Sequence, residues 1–164
     1  MSKSHYLIDG YNLLFKLPGK HPSLETKRRA LLDLLEKQIA EFRLSATIVF
    51  DGAQRDPLIA ARGHFKSMEV VYTAAGQTAD DYIFESIAEH PRRHIVVTSD
   101  RDLAAKCKAL GAQTQKIQEF LSSLVTKHHK VKKRNQPFPT FQDSPADIDR
   151  LLKIFEKRLE DKNP

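Results

Sequence analysis

Four short runs rich in β-branched residues, "HYLI" (5–8), "ATIVF" (46–50), "MEVVY" (68–72) and "HIVVT" (94–98), alternate with stretches of helical periodicity. This alternation restricts the chain more than any other feature. "QTQKI" (113–117) is a weaker fifth strand candidate. The longest helical pattern runs from about Ser23 to Arg43 and spaces Leu31, Leu35, Ile39 and Phe42 three or four residues apart. "TADDYIFESIAEH" opens on Thr78 as an N-cap with Asp81 at the capping-box position, and "RDLAAKCKALG" ends on Gly111 as a C-cap. Strands joined through helical crossovers run parallel, because each crossover returns the chain to the same end of the sheet. The expected fold is α/β: a three-layer α/β/α sandwich with a mainly parallel central sheet.

Beyond the last strand the pattern changes. Residues 126–142, "TKHHKVKKRNQPFPTFQ", hold five basic residues and no acid, and so carry most of the net charge of +6. Pro137 and Pro139 interrupt regular structure, and a last helix is expected from Ser144, with Pro145 at its first position and an apolar stripe of Leu151, Leu152, Phe155 and Leu159. The expected organisation is a main domain over 1–125, a basic, proline-containing segment over 126–143 and a C-terminal amphipathic helix over 144–164. The basic block suits an electrostatic partner such as nucleic acid, with Lys127, Lys130, Lys132, Lys133 and Arg134 as phosphate contacts. Phe138 and Phe141 adjoin it, either as base-stacking groups or as packing for the terminal segment.

No apolar run approaches the ~20 residues that span a bilayer, and "MSKSHYLID" lacks the apolar stretch of a signal peptide. A cytoplasmic location without a membrane partner is expected. The single Cys107 permits no intrachain disulfide and reads as a packed side chain on a helix face. The seven histidines show no metal-ligand spacing.

The chemistry lies at the strand ends. In a parallel sheet, residues just past the C-terminal ends of the strands meet along one edge. Asp9 follows "HYLI", Asp51 follows "ATIVF", Asp100 follows "HIVVTS", and helices leaving that edge bring Asp80, Asp81 and Asp102 to it. Gathered carboxylates repel one another and resist ionisation as they are desolvated. A hard divalent cation, Mg²⁺ or Mn²⁺, would compensate them, since such ions prefer oxygen ligands and bridge to phosphate oxygens. It could then activate water for attack on a phosphodiester. Asp81 and Asp102 also fit as helix caps. Other phosphate chemistries lack their marks: there is no glycine-rich phosphate loop, a phosphatase with an aspartate nucleophile would carry an acid where Tyr11 stands, and a response regulator would pair acids where Gly10 stands.

The motifs "IDGYN", "VFDG", "TADD" and "VVTSDRD", in that order, resemble the YacP-like NYN-domain branch of the PIN-like ribonucleases, over about His5 to Val125. The resemblance implies a PIN-like α/β/α fold and metal-dependent endonucleolytic cleavage of RNA. It puts Asp9 and Asn12 in the first motif, Asp80 and Asp81 in the acidic pair, either being the ligand, Asp100 after the fourth strand, and Asp102 as an additional acid. Asp51 would stand at the rim. Apart from the resemblance, Ser99 and Thr78 place hydroxyls next to key acids, although each also fits as a helix cap. RNA is the expected partner, with ribosome-associated mRNA among the substrates left open, as are the oligomeric state and the number of ions. The alternative is a non-catalytic RNA- or ribosome-binding module whose acidic site is vestigial.

Overall fold

The first apolar run forms a strand because Tyr6 and Ile8 face one side of the sheet and Leu7 the other, both sides being covered. The computed structural model describes residues 3–16, 20, 23–52 and 62–132. These form β1 (His5–Asp9), α1 (Gly10–Leu14), α2 (Leu24–Glu41), β2 (Ser45–Phe50), β3 (Arg62–Phe65), β4 (Met68–Tyr72), α3 (Ala79–Ile87), β5 (His94–Val97), α4 (Arg101–Leu110), β6 (Gln113–Gln115) and α5 (Ile117–Lys132). The sheet order is β3-β4-β2-β1-β5-β6, parallel throughout except for β3, which pairs antiparallel with β4. On one face, α1, α2 and α5 cover Ile8, Ile48, Val70 and Val97. On the other, α3 and α4 cover Leu7, Val49, Val71 and Val96, with Cys107 buried among them. This is the expected three-layer sandwich. Among the described residues, no helix is long and apolar enough to cross a membrane.

The expected caps at Thr78 and Gly111 hold, and Ser23 caps α2 as well. Ser23 accepts from the N–H of Thr26, Thr78 and Asp81 form a reciprocal capping box, and Gly111 ends α4 in the left-handed region at φ 99°. Three elements differ from expectation. β3 joins β4 through Lys66 and Ser67, although Lys66 must adopt a φ of 55°. Their turn is held from α2, where the buried Glu36 accepts from the Ser67 hydroxyl at 2.8 Å and lies 3.9 Å from the Lys66 ammonium. The fifth strand ends at Gln115, and Ile117 instead opens α5. That helix buries Ile117, Phe120, Leu121, Leu124 and Val125 as one stripe and continues past residue 125 to Lys132. Lys127, Lys130 and Lys132 are therefore positions on α5. Lys133, Arg134 and the expected C-terminal helix lie outside the described residues.

From β1 the chain steps outward to β2 and β4, then returns to place β5 on the opposite side of β1. The order thus reverses between β1 and β5, and open α/β sheets hold their ligands at such a reversal.

Candidate active site

Asp9 is the last residue of β1 and the N-cap of α1. Its carboxylate accepts from the N–H of Asn12 at 3.4 Å and from the Thr98 hydroxyl at 3.2 Å. Gly10 follows because the chain turns against β2 here: a Cβ at this position would stand 2.6 Å from the Phe50 ring and 2.7 Å from the Val49 carbonyl. Across the reversal, β5 runs into Thr98, Ser99 and Asp100. The Ser99 N–H donates to Oδ1 of Asn12 at 2.9 Å, and the Asp100 N–H donates to the Thr98 hydroxyl at 3.0 Å. Asp100 caps α4, its Oδ1 accepting from Asp102 and Leu103 N–H at 2.8 and 3.0 Å. Two strand ends are thereby joined through side chains that also carry the acids.

The β2 tip repeats the Asp-Gly arrangement. Oδ1 of Asp51 accepts from the N–H of Ala79 at 3.0 Å, tying the first turn of α3 to the sheet. A Cβ on Gly52 would stand 1.9 Å from the Thr73 carbonyl oxygen, and the Gly52 N–H donates to the Thr73 hydroxyl at 3.0 Å. In α3, Asp81 spends its carboxylate on the N–H of Thr78, while Asp80 accepts no hydrogen bond from the described residues.

Electrostatics links five of the six acids through Asp80. Asp9 is only 7% exposed. Burial raises its pKa to about 6; the carboxylates of Asp80 and Asp100 push the same way, opposed by the Asn12 N–H and the Thr98 hydroxyl. Asp80 is also raised, first by burial, then by Asp100, Asp51 and Asp81, with Lys106 opposing. Asp9 is thus coupled to Asp80 and Asp100, and Asp80 to Asp100, Asp51 and Asp81. Asp81 and Asp102 are exposed and line, with Asp80 and Lys106, a cleft of about 430 Å³ beside α3 and α4. Asp102 is not among the charges acting on Asp9 or Asp80.

The donor set around Asp9 is all oxygen, which suits Mg²⁺ or Mn²⁺ and disfavours softer ions. A buried carboxylate pressed by two others is a place where a cation relieves stored repulsion. Among the described residues, no three acidic, histidine or cysteine side chains already form a cage for an ion. An ion that keeps much of its water, as Mg²⁺ does, needs few direct protein ligands.

Of the other expected site residues, Thr78 is a helix cap, and Ser99 takes part through its backbone N–H, with its hydroxyl 3.5 Å from Oε1 of Gln118. The side chains of Lys127, Lys130 and Lys132 are not among those described, and Lys133 and Arg134 fall outside the described residues. Sequence reasoning missed Thr98, which is buried and bonded to both flanking acids. Its signal was a hydroxyl at the end of a β-branched run, two residues before Asp100.

A model of the YacP-like NYN domain matches residues 6–161. Two crystal structures of Rae1 (YacP) from Bacillus subtilis are similar in fold. One, of a tryptophan-to-leucine mutant, superposes with a TM-score of 0.63 at 22% identity, covering 79% of this chain and 79% of that one. The other has a TM-score of 0.63 at 21% identity, covering 97% of this chain and 86% of that one. No curated protein matches.

Proposed function

The chain belongs to the YacP-like NYN domain family, within the PIN-like nuclease superfamily, and from its acidic crevice we propose that it is a metal-dependent endoribonuclease. The observation that carries this reading is the mutual coupling of Asp9, Asp80 and Asp100, delivered by three separate segments to the edge where strand order reverses. Mg²⁺ or Mn²⁺ held by Asp9, Asp80 and Asp100 would supply an activated water and stabilise the charge that develops as a phosphodiester is attacked.

The protein's own groups divide the remaining work. Asp9 would have to give up its proton to hold an ion, so ion affinity would rise with pH through about 6. Asp100 commits Oδ1 to α4 and keeps Oδ2 for the crevice. Asp51 holds the first turn of α3 so that Asp80, one residue further on, is presented to Asp9 and Asp100. Asn12 has its carbonyl end engaged by the Ser99 N–H, which leaves its NH₂ to donate to a substrate phosphate oxygen. The basic positions Lys127, Lys130, Lys132, Lys133 and Arg134 belong to RNA binding rather than to chemistry. Cleavage by water with departure of the 3′ oxygen leaves 5′-phosphate and 3′-hydroxyl ends.

Incubating the purified protein with structured and unstructured RNAs in Mg²⁺, Mn²⁺ or chelator, and mapping the ends, tests the proposal. Cleavage with those ends that stops in chelator is expected. Full activity of metal-stripped protein in chelator would overturn the metal mechanism. RNA binding without cleavage, on naked RNA and on ribosome-bound mRNA alike, would favour the binding-only module.

A further inference from the structure

On one side of Asp100 the surface opens into a second cleft, of about 530 Å³, between α4, β6 and the start of α5. Four cationic side chains line it, Lys16, Arg101, Lys108 and Lys116, against two acids, Asp100 and Glu119. None of the four belonged to the basic segment recognised in the sequence. Lys16, Lys108 and Lys116 are exposed, and among the described residues none of them is in a salt bridge. The other face of α4 borders an acidic cleft, where Asp80, Asp81 and Asp102 stand with Lys106 as the one cation in its lining. Beside Lys16 in sequence stands Phe15, 66% exposed, its ring stacked on Tyr11 at 6.0 Å between centroids.

We propose that this cleft is the track for single-stranded RNA, with Lys16, Lys108 and Lys116 gripping successive phosphates on one side of the bond to be cut and Phe15 offering a stacking surface to a base. A polyanion is drawn to the basic wall and repelled by the acidic one, so the strand is held on one side of the acids and leaves freely on the other. Because the cleft reaches Asp100 itself, a backbone lying in it delivers a phosphate to the carboxylates. Lysines that clasp phosphates with an aromatic ring alongside are what sequence-tolerant single-strand binding uses. The inference rests on the nuclease reading and adds the path of the substrate.

The test uses full-length protein and a fluorescent oligouridylate, with binding followed by anisotropy in chelator over a series of KCl concentrations. Each lost phosphate contact removes about 0.7 from the slope of log affinity against log salt, so Lys16→Ala/Lys108→Ala/Lys116→Ala should flatten it by roughly two units. Phe15→Ala should weaken binding roughly five-fold or more and leave the slope unchanged, since stacking releases no counterions. Lys37→Ala, on the exposed side of α2, should match wild type. Circular dichroism melts establish that each variant is folded. Wild-type binding that is indifferent to the three lysines would overturn the track alone. Failure of the wild type to bind oligouridylate at any salt concentration would also overturn the track, while the nuclease reading stands or falls on the cleavage assay with naked and ribosome-bound RNA.

Discussion

The hydroxyl of Thr98 donates to the carboxylate of Asp9 across 89 positions of sequence, and the same oxygen accepts the N–H of Asp100. One buried side chain therefore sets the spacing of the two acids on either side of the strand-order reversal.

Removing that hydroxyl should be felt twice. Thr98→Val keeps the shape but leaves the Asp100 N–H without its acceptor and withdraws one of the two donors to Asp9, at a cost of roughly 1–2 kcal/mol. Thr98→Ser should retain near-wild-type behaviour. Urea unfolding of the three proteins, with the Asp9 carboxyl followed by NMR titration, measures both effects. An Asp9 pKa unchanged in Thr98→Val would show that the contact does not hold the carboxylate.

The metal-free protein should lose stability as pH rises from about 4 to about 6. Asp9 binds its proton more tightly folded than unfolded, so ionising it opposes folding, by roughly 3 kcal/mol once pH exceeds the folded value. Asp9→Asn escapes this penalty. Its stability relative to wild type should rise across that window and level off above it, with a net gain of about 1 kcal/mol or more at neutral pH after allowance for its poorer fit to the Thr98 hydroxyl. Denaturation in chelator at several pH values measures the difference. A constant difference would assign Asp9 an ordinary pKa.

The two neighbouring acids of α3 should separate in a thermal-shift experiment. Mn²⁺ raises the melting temperature of any fold that binds it preferentially. Asp80→Asn should abolish that rise. Asp81→Ala should keep it while losing roughly 0.5–1 kcal/mol with the capping box. The reverse pattern would make Asp81 the ligand.

Gly52→Ala should be among the most damaging small substitutions. Its methyl group would meet the Thr73 backbone carbonyl at 1.9 Å, so the β2 tip must move away from the chain that follows β4. A loss of roughly 2–4 kcal/mol is expected, with Asp51 displaced from Ala79 and the Mn²⁺ shift reduced. Wild-type stability would mean that the loop gives way without strain.

Much of the fold is legible because its signals are local. β1, β2, β4 and β5 announce themselves by β-branched runs, and Ser23, Thr78 with Asp81, and Gly111 mark helix ends through bonds that span only a few residues. The β3–β4 hairpin is not legible in this way. Lys66 and Ser67 carry no turn signature, and the turn depends on Glu36, 31 residues from Ser67. α5 was obscured for a different reason: its apolar stripe runs into the basic block, and the change of composition conceals a continuous helix.

The candidate site divides along the same line. Acids at the ends of parallel strands can be read from the chain alone, because strand direction follows from helical crossovers and side-chain type from the residues. Which of them couple depends on the assembled fold. Asp80 is coupled to Asp9 and Asp100 while Asp81, whose charge also reaches Asp80, spends its carboxylate on a cap, because one residue along a helix rotates the side chain by about a quarter turn or more. Thr98 joins β5 to β1, and Lys16 meets Lys108 and Lys116 around one cleft, because strand order brings together segments that sequence holds far apart. Burial and Coulomb coupling depend on distances in the folded chain, and those distances exist only once the sheet has assembled.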